Sequence, residues 1–335
     1  MADTPWKAYQ TRQHWAGANS DKDEHLEIYQ NEVLTRFEYN AIFRGLSTQR
    51  SVANQSNTYR IDRLGTSQVK GRKSGETLDP QKVTNEKLLI TVDTVLYIRN
   101  PIDWQDDWTA PDFLMEMATN NGYAFAEMFD EAHAIQLIKA RAIKTPEHLH
   151  NAIGDGIELQ GEFKAGAKTQ AELEANAIAI NLAHKKAVDT LIKNKVPMGD
   201  MVTLVDTDIF SALLEHPKLL NLQFDTTNGG AYGDRRFVRM NGIPVVEVQA
   251  FPKKTYTSGA HPLGASYDVS AEDLKCKMVL FSKSQTLVTV EAHPFESNIW
   301  EDNENFQRVL DCYCMYNVGV RRPDCCVVVK FSEPA

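Results

Sequence analysis

The stretch TAPDFLMEMATNNGYAFAEMFDEAHAIQLIKARAIK, Thr109 to Lys144, decides how this chain is to be read. Thr109 is a cap candidate and Pro111 stands early, where a missing N–H costs a helix nothing. Phe113, Met117, Phe125, Met128, Phe129, Ala132, Ile135 and Ile138 then recur at helical spacing. The pattern predicts a helix of about 30 residues and ~45 Å, well above the ~11–12-residue mean. Such an element is a spine on which other elements are built. Asn120-Asn-Gly122 in its middle lowers helix propensity by about 1 kcal/mol or more and marks a place for a bend.

Upstream, Tyr59 and Ile61 alternate with Thr58, Arg60 and Asp62, and Leu88, Ile90 and Val92, then Leu96 and Ile98, repeat the two-residue period. This reads as a long hairpin whose connection, Gly65 to Glu86, is polar, charged and glycine-bearing. Connections of about 20 residues far exceed the usual ~4–6 and are mostly functional or disordered. A hairpin that reaches a neighbouring molecule would use one. Further upstream, Tyr29, Val33, Phe37 and Ala41 predict an amphipathic helix from His25 to near Gly45, preceded by a polar arm.

Downstream, Thr145 to Lys168 reads as an irregular crossing between lobes. Thr169-Gln-Ala-Glu172 is a capping box opening a second helix, with Leu173, Ala177, Ile180, Val188, Leu191 and Ile192 on its buried face and Val196-Pro197 ending it. A strand from Met201 to Val205, a short helix from Ile209 to Leu214, and strands from Arg235 to Met240 and Ile243 to Val248 follow. The last two are joined by Asn241-Gly242, a strong hairpin turn signal. Strands at 278–281 and 286–291, a helix from Glu304 to Tyr316 and a strand from Cys325 to Phe331 complete the reading.

Bulk properties exclude several classes. No run of about 18 apolar residues is present to span a bilayer, and Met1 to Gly17 lacks the apolar core of a signal peptide. The protein is expected to remain in the cytoplasm where it is made, without membrane partners. With 36 basic against 45 acidic residues the net charge is −9, which opposes tight counterion-releasing binding to nucleic acid. It does not oppose enclosing nucleic acid, since a container that must release its contents gains from a wall that does not grip phosphate.

Candidate chemistry is sparse. Cys276, Cys312, Cys314, Cys325 and Cys326 are odd in number and lack the Cys-x-x-Cys knuckle of zinc sites, so reduced structural thiols are expected. Gly65 to Ser74, GTSQVKGRKS, resembles a phosphate-binding loop but has the wrong spacing and runs into Asp79-Pro80, so it reads as a solvated hairpin tip. His148 and His150, near Glu147, Asp155 and Glu158, are the basis of the rival reading, a cytoplasmic α/β metal-dependent enzyme. The glycines at 154 and 156 argue instead for surface histidines in a loop. Gly229-Gly230 and Gly233 lack the GxGxxG dinucleotide pattern, and His133 and His184 sit on helical patterns as structural histidines. No catalytic residue, cofactor site or metal site is assigned. The basic cluster Lys70, Arg72 and Lys73 is read as an intersubunit contact, facing Asp103, Asp106 and Asp107 of another copy.

Three segments, NEVLTRFEYN at 31–40, NGIPVVEVQAF at 241–251 and MYNVGVRRPDCCVVVKF at 315–331, resemble the major capsid proteins of short-tailed podoviruses of the T-seven group. They stand in the family's order over roughly Asn31 to Phe331. The element order resembles the Hong Kong-phage-type capsid fold. The resemblance implies an α+β chain with an N-terminal arm (1–50), an extended hairpin or E-loop (51–100), a peripheral domain with the spine helix (101–168), an α/β axial domain (169–264) and peripheral-domain strands with a C-terminal return (265–335). It implies assembly into pentamers and hexamers of a virion, built in the host cytoplasm with scaffolding protein and portal around double-stranded DNA.

Overall fold

The computed structural model describes residues 33, 36, 37, 41–52, 56–78, 80–105, 113–150, 152–216 and 238–333. The polar arm, most of the helix expected from His25, and the glycine loop at 229–233 lie outside the described residues. Two compact units are formed, one from Met1–Arg44, Asp93–Asp130 and Ala292–Tyr316, the other from Gly45–Val92, Glu131–Glu291 and Asn317–Ala335.

The long helix α1 (Phe113–Ala140) runs 28 residues, about 42 Å, and its halves belong to different units. It passes unbroken through Asn120-Asn-Gly122. The glycine answers a packing need: a β-carbon at 122 would come within 2.8 Å of Arg36 Cβ and 3.0 Å of the Val33 carbonyl, so only glycine admits that backbone.

In the first unit, β4 (Leu96–Asp103) pairs antiparallel with β11 (Gln307–Val320), in register from Gln307 opposite Asp103 to Cys314 opposite Leu96. β10 (Leu287–Asp302) lies on the other side of β11. The first half of α1 covers one face: Phe129 meets Tyr316 at 5.1 Å, Phe125 meets Phe295 at 5.0 Å, and Phe37 packs edge-on to Phe129. The helix expected from Glu304 to Tyr316 is therefore a strand. Cys312, Cys314, Tyr316, Val318 and Val320 alternate with less buried residues, and pairing with β4 outweighs the local helical spacing of Phe306, Val309 and Leu310.

The second unit is built on a six-stranded sheet in the order β5-β12-β9-β6-β8-β7, from β5 (Ile157–Glu162), β6 (Met201–Val205), β7 (Val238–Met240), β8 (Ile243–Glu247), β9 (Cys276–Ser282) and β12 (Cys326–Ser332). Its inner strands are continuous apolar runs because both faces are covered; all five residues of β6 are buried. β5 corrects the irregular reading of 145–168, and β9 and β12 join one sheet with strands of the 169–264 segment. Helices α2 (Gln170–Lys193) and α3 (Thr207–Leu214) pack on it through Ile180, Ala183, Val188, Leu191, Ile209, Phe210 and Leu213. The capping box at Thr169 and Glu172 forms as read. Ile192, expected inside, is exposed, and Leu173 is half-buried. Asn241 and Gly242 both take positive φ, as a type I′ turn demands.

β1 (Thr48–Ser51) pairs parallel with Val288–Glu291 of β10. The expected hairpin is β2 (Thr58–Leu64) and β3 (Asn85–Thr91), in register from Thr58 opposite Thr91 to Leu64 opposite Asn85. The returning strand is shorter than read: it stops at Thr91, and Leu96 and Ile98 belong to β4, in the other unit.

Candidate assembly surfaces

The hairpin is held to its own unit along its length. Arg63, almost wholly buried, donates to the Val320 carbonyl at 2.9 Å and faces Glu86 at 3.8 Å; burial lowers its pKa, with Glu86 the main opposing influence. Asn317 Nδ2 donates to the Thr91 carbonyl at 2.6 Å, and Ile90 lies over Gly319. At the far end Thr84 donates to the His148 carbonyl at 2.8 Å. What projects is the connection itself. Between Leu64 and Asn85 the described residues form no helix or strand, and Val69 and Leu78 are exposed together with Lys70, Arg72 and Lys73. Arg72 Nε donates to the Glu76 carbonyl, and the Lys73 amide donates to the Glu76 carboxylate at 3.0 Å, so the basic tip has some internal order. Among the described residues no helix follows Gly65 to Ser74, so the amide-lined helix start a phosphate loop needs is not found there.

Asp103 lies exposed at the end of β4 and accepts from the Gln105 amide at 2.8 Å. Asp106 and Asp107 fall outside the described residues, and the basic tip and Asp103 belong to different units. Asp103 shares its sheet face with a cluster that sequence reading missed. Arg99 forms two bonds to Asp311 at 2.7 and 2.8 Å, Trp300 Nε1 donates to Asp311 at 2.9 Å, and the Arg99 guanidinium lies 5.7 Å from the Trp300 ring centre. Tyr97, 72% exposed, stands opposite Tyr313, which donates to Glu296 at 3.2 Å. Fixed Trp, Tyr and Arg side chains are the residue types enriched at protein interface centres. The alternation Tyr97-x-Arg99-x-Pro101-x-Asp103 was the available signal.

His148 and His150 do not converge on a common point for a ligand. His150 Nε2 is 2.8 Å from the Thr145 carbonyl and 3.6 Å from the Asp155 carboxylate, and both histidines belong to a single helical turn and its end. Among the described residues no three His, Cys, Asp or Glu side chains are grouped to hold a metal ion. All five cysteines are buried and none is joined in a disulfide. Burial pushes Cys276 up to about 11 and Cys325 up to about 12, and Cys326 higher still, so these thiols stay protonated and inert. His133 and His184 are fully buried and bonded to Thr289 at 2.7 Å and Thr203 at 2.9 Å. No described helix is long and apolar enough to cross a membrane.

No protein-family model matches the chain, and no curated protein does. Among solved structures, it is similar to the asymmetric unit of the bacteriophage PhiM1 mature capsid, with 42% identity over 100% of both chains and a TM-score of 0.76. The capsid of cyanophage P-SCSP1u matches at 19% identity over 88% of this chain and 89% of that one, TM-score 0.71. The virus-like particle of Pyrococcus furiosus matches at 10% identity over 92% and 100%, TM-score 0.51. The latter two define the class: a protein with the capsid fold. The full-length identity to the PhiM1 chain goes further, and the chain belongs to the major capsid proteins of tailed bacteriophages, structural proteins of the virion that self-assemble into shells. The metal-enzyme reading has no support.

Proposed function

We propose that the chain is the repeating subunit of an icosahedral head of a short-tailed, T-seven-like phage, closing as pentamers and hexamers around double-stranded DNA. Scaffolding protein and portal are its partners during assembly in the host cytoplasm. Residues 1–50 act as the arm, 51–100 as the E-loop, 101–168 and 265–335 as the peripheral domain and its return, and 169–264 as the axial domain.

The observation that carries this reading is the hairpin: its strands are fixed on their own unit while the described residues of its connection between Thr66 and Val83 are exposed, Val69 and Leu78 and a basic cluster among them. A protein of net charge −9 that must associate with itself needs local sites where opposite charges meet. Lys70, Arg72 and Lys73 meeting Asp103, Asp106 and Asp107 of another copy supply one. Repeated heterologous contacts around five- and six-fold centres close a shell, and each contact need contribute only modestly. The acidic balance suits a wall that encloses DNA without gripping it.

The test replaces residues 66–83 with a short turn. The shortened chain should be soluble, with an unchanged circular dichroism spectrum and melting temperature, yet form no rings or shells by negative-stain microscopy. Normal shells from the shortened chain would overturn the assigned role of the loop.

A further inference from the structure

A line of polar side chains ties α2 to the edge of the six-stranded sheet. His184, fully buried on α2, places Nε2 2.9 Å from Thr203 Oγ1 on β6 and Nδ1 3.0 Å from Asn241 Nδ2 in the β7–β8 turn. Asn241 Nδ2 lies 3.5 Å from Asn181 Oδ1, and Asn181 Nδ2 lies 3.3 Å from His216 Nε2. An amide nitrogen can only donate, so His184 Nδ1 accepts, and the neutral ring carries its proton on Nε2 and donates it to Thr203. A second ring proton would set an N–H against the amide N–H of Asn241.

We propose that His184 is an acid-released clasp: the neutral ring holds the β7–β8 turn to α2, and protonation frees the turn and edge strand β7, uncovering the unpaired edge of β8. β7 is the edge strand and pairs over three residues only, Val238 to Met240 opposite Val245 to Ile243, with Met240 as its buried side chain in the core. An uncovered strand edge is a template for pairing with another chain.

The direction follows from the surroundings. Burial alone lowers the His184 pKa, to about 4. The charged groups of the neighbouring elements are Glu172, Glu174, Lys185, Lys186, Asp189 and Lys193 on α2, Asp208 on α3 with Glu215 at its end, Arg239 on β7, Glu247 on β8 and Lys277 on β9; β6 carries none, and His216 is the other titratable member of the line. Lys277 is engaged with Asp206 and Asp208. With the folded value below the ordinary 6.5, the hold is complete above 6.5 and is lost as pH falls toward 4. Opening of the clasp then rises about tenfold per pH unit across that window.

Hydrogen–deuterium exchange on the full chain tests this, corrected for intrinsic rates. Between pH 6 and pH 5, protection of residues 238–247 should fall about tenfold while β5, at the opposite edge, is unchanged. Asn241→Gly keeps the positive-φ turn but removes the amide, so 238–247 should already be less protected at pH 7.5 and lose its pH response. Asn241→Asp puts a carboxylate beside the ring and should keep the segment protected at pH 5. A pH-independent wild type, an equal fall at β5, or a wild-type response in Asn241→Gly would each overturn the clasp.

Discussion

Ile90 of the hairpin rests on Gly319 of β11, and a β-carbon at 319 would overlap Ile90 Cδ1 and come within 2.8 Å of its Cγ1. The seat of the hairpin is thus cut to glycine. Gly319→Val should displace the hairpin and destabilise the unit by about 1–3 kcal/mol, the usual cost of overpacking. Urea unfolding measures the loss, and adding Ile90→Ala should recover part of it. A fully stable Gly319→Val would show that the hairpin does not depend on this seat.

Arg63 is the polar counterpart of that seat. Its guanidinium, almost wholly buried, meets the Val320 carbonyl and the partly exposed Glu86. Arg63→Ala leaves Glu86 without its cation and should cost about 2–4 kcal/mol. Amides of β2 and β3 should lose exchange protection before those of the six-stranded sheet.

Two buried groups respond to pH with opposite sign. Asp130 accepts from the amides of Ile42 and Phe43 at 3.0 and 3.1 Å, yet burial outweighs those bonds and raises its pKa to about 6. The folded state holds this proton more tightly than the unfolded one, whose ordinary value is 3.8. Its contribution is therefore fully favourable below 3.8 and is lost as pH rises through 6, by about 3 kcal/mol in all. Relative to Asp130→Asn, the wild type should gain stability between pH 7.5 and pH 5.

His261 goes the other way. It is buried between Tyr256 and Tyr267, its Nδ1 accepts from the Leu263 amide, and its Nε2 finds no hydrogen-bond partner among the described residues. Burial first, then Lys139, lowers its pKa to about 4. Stability is present above 6.5 and lost as pH falls toward 4. His261→Phe keeps the ring and removes the titration, so at pH 5 the variant should melt above the wild type.

Much of this architecture was legible in the sequence because local chemistry decides it. Thr169 and Glu172 form the expected capping box, Asn241-Gly242 the expected turn, and the periodicity of 113–138 the long helix. Residues 304–316 read as a helix because Phe306, Val309 and Leu310 fit a helical face. That segment is a strand because it lies between β10 and β4, the latter some two hundred residues earlier. β5 was missed for the same reason, since Ile157–Glu162 is a strand by virtue of its parallel partner β12. The basic cluster was visible as a charge run, but the Arg99–Trp300–Asp311 cluster exists only once three strands are side by side.

Charge reversal addresses the assembly contact without touching the core. Lys70→Glu, Arg72→Glu and Lys73→Glu together should leave the melting temperature within a degree or so, since exposed charges contribute little to folding. They should raise the protein concentration needed for assembly, measured by light scattering at low salt. An unchanged threshold would remove these residues from the contact.

Shell formation by the purified full-length protein is read by negative-stain electron microscopy alongside size-exclusion chromatography. The expected result is rings or closed shells of uniform diameter. A stable monomer that forms neither, at any concentration or salt and with scaffolding protein supplied, would contradict it.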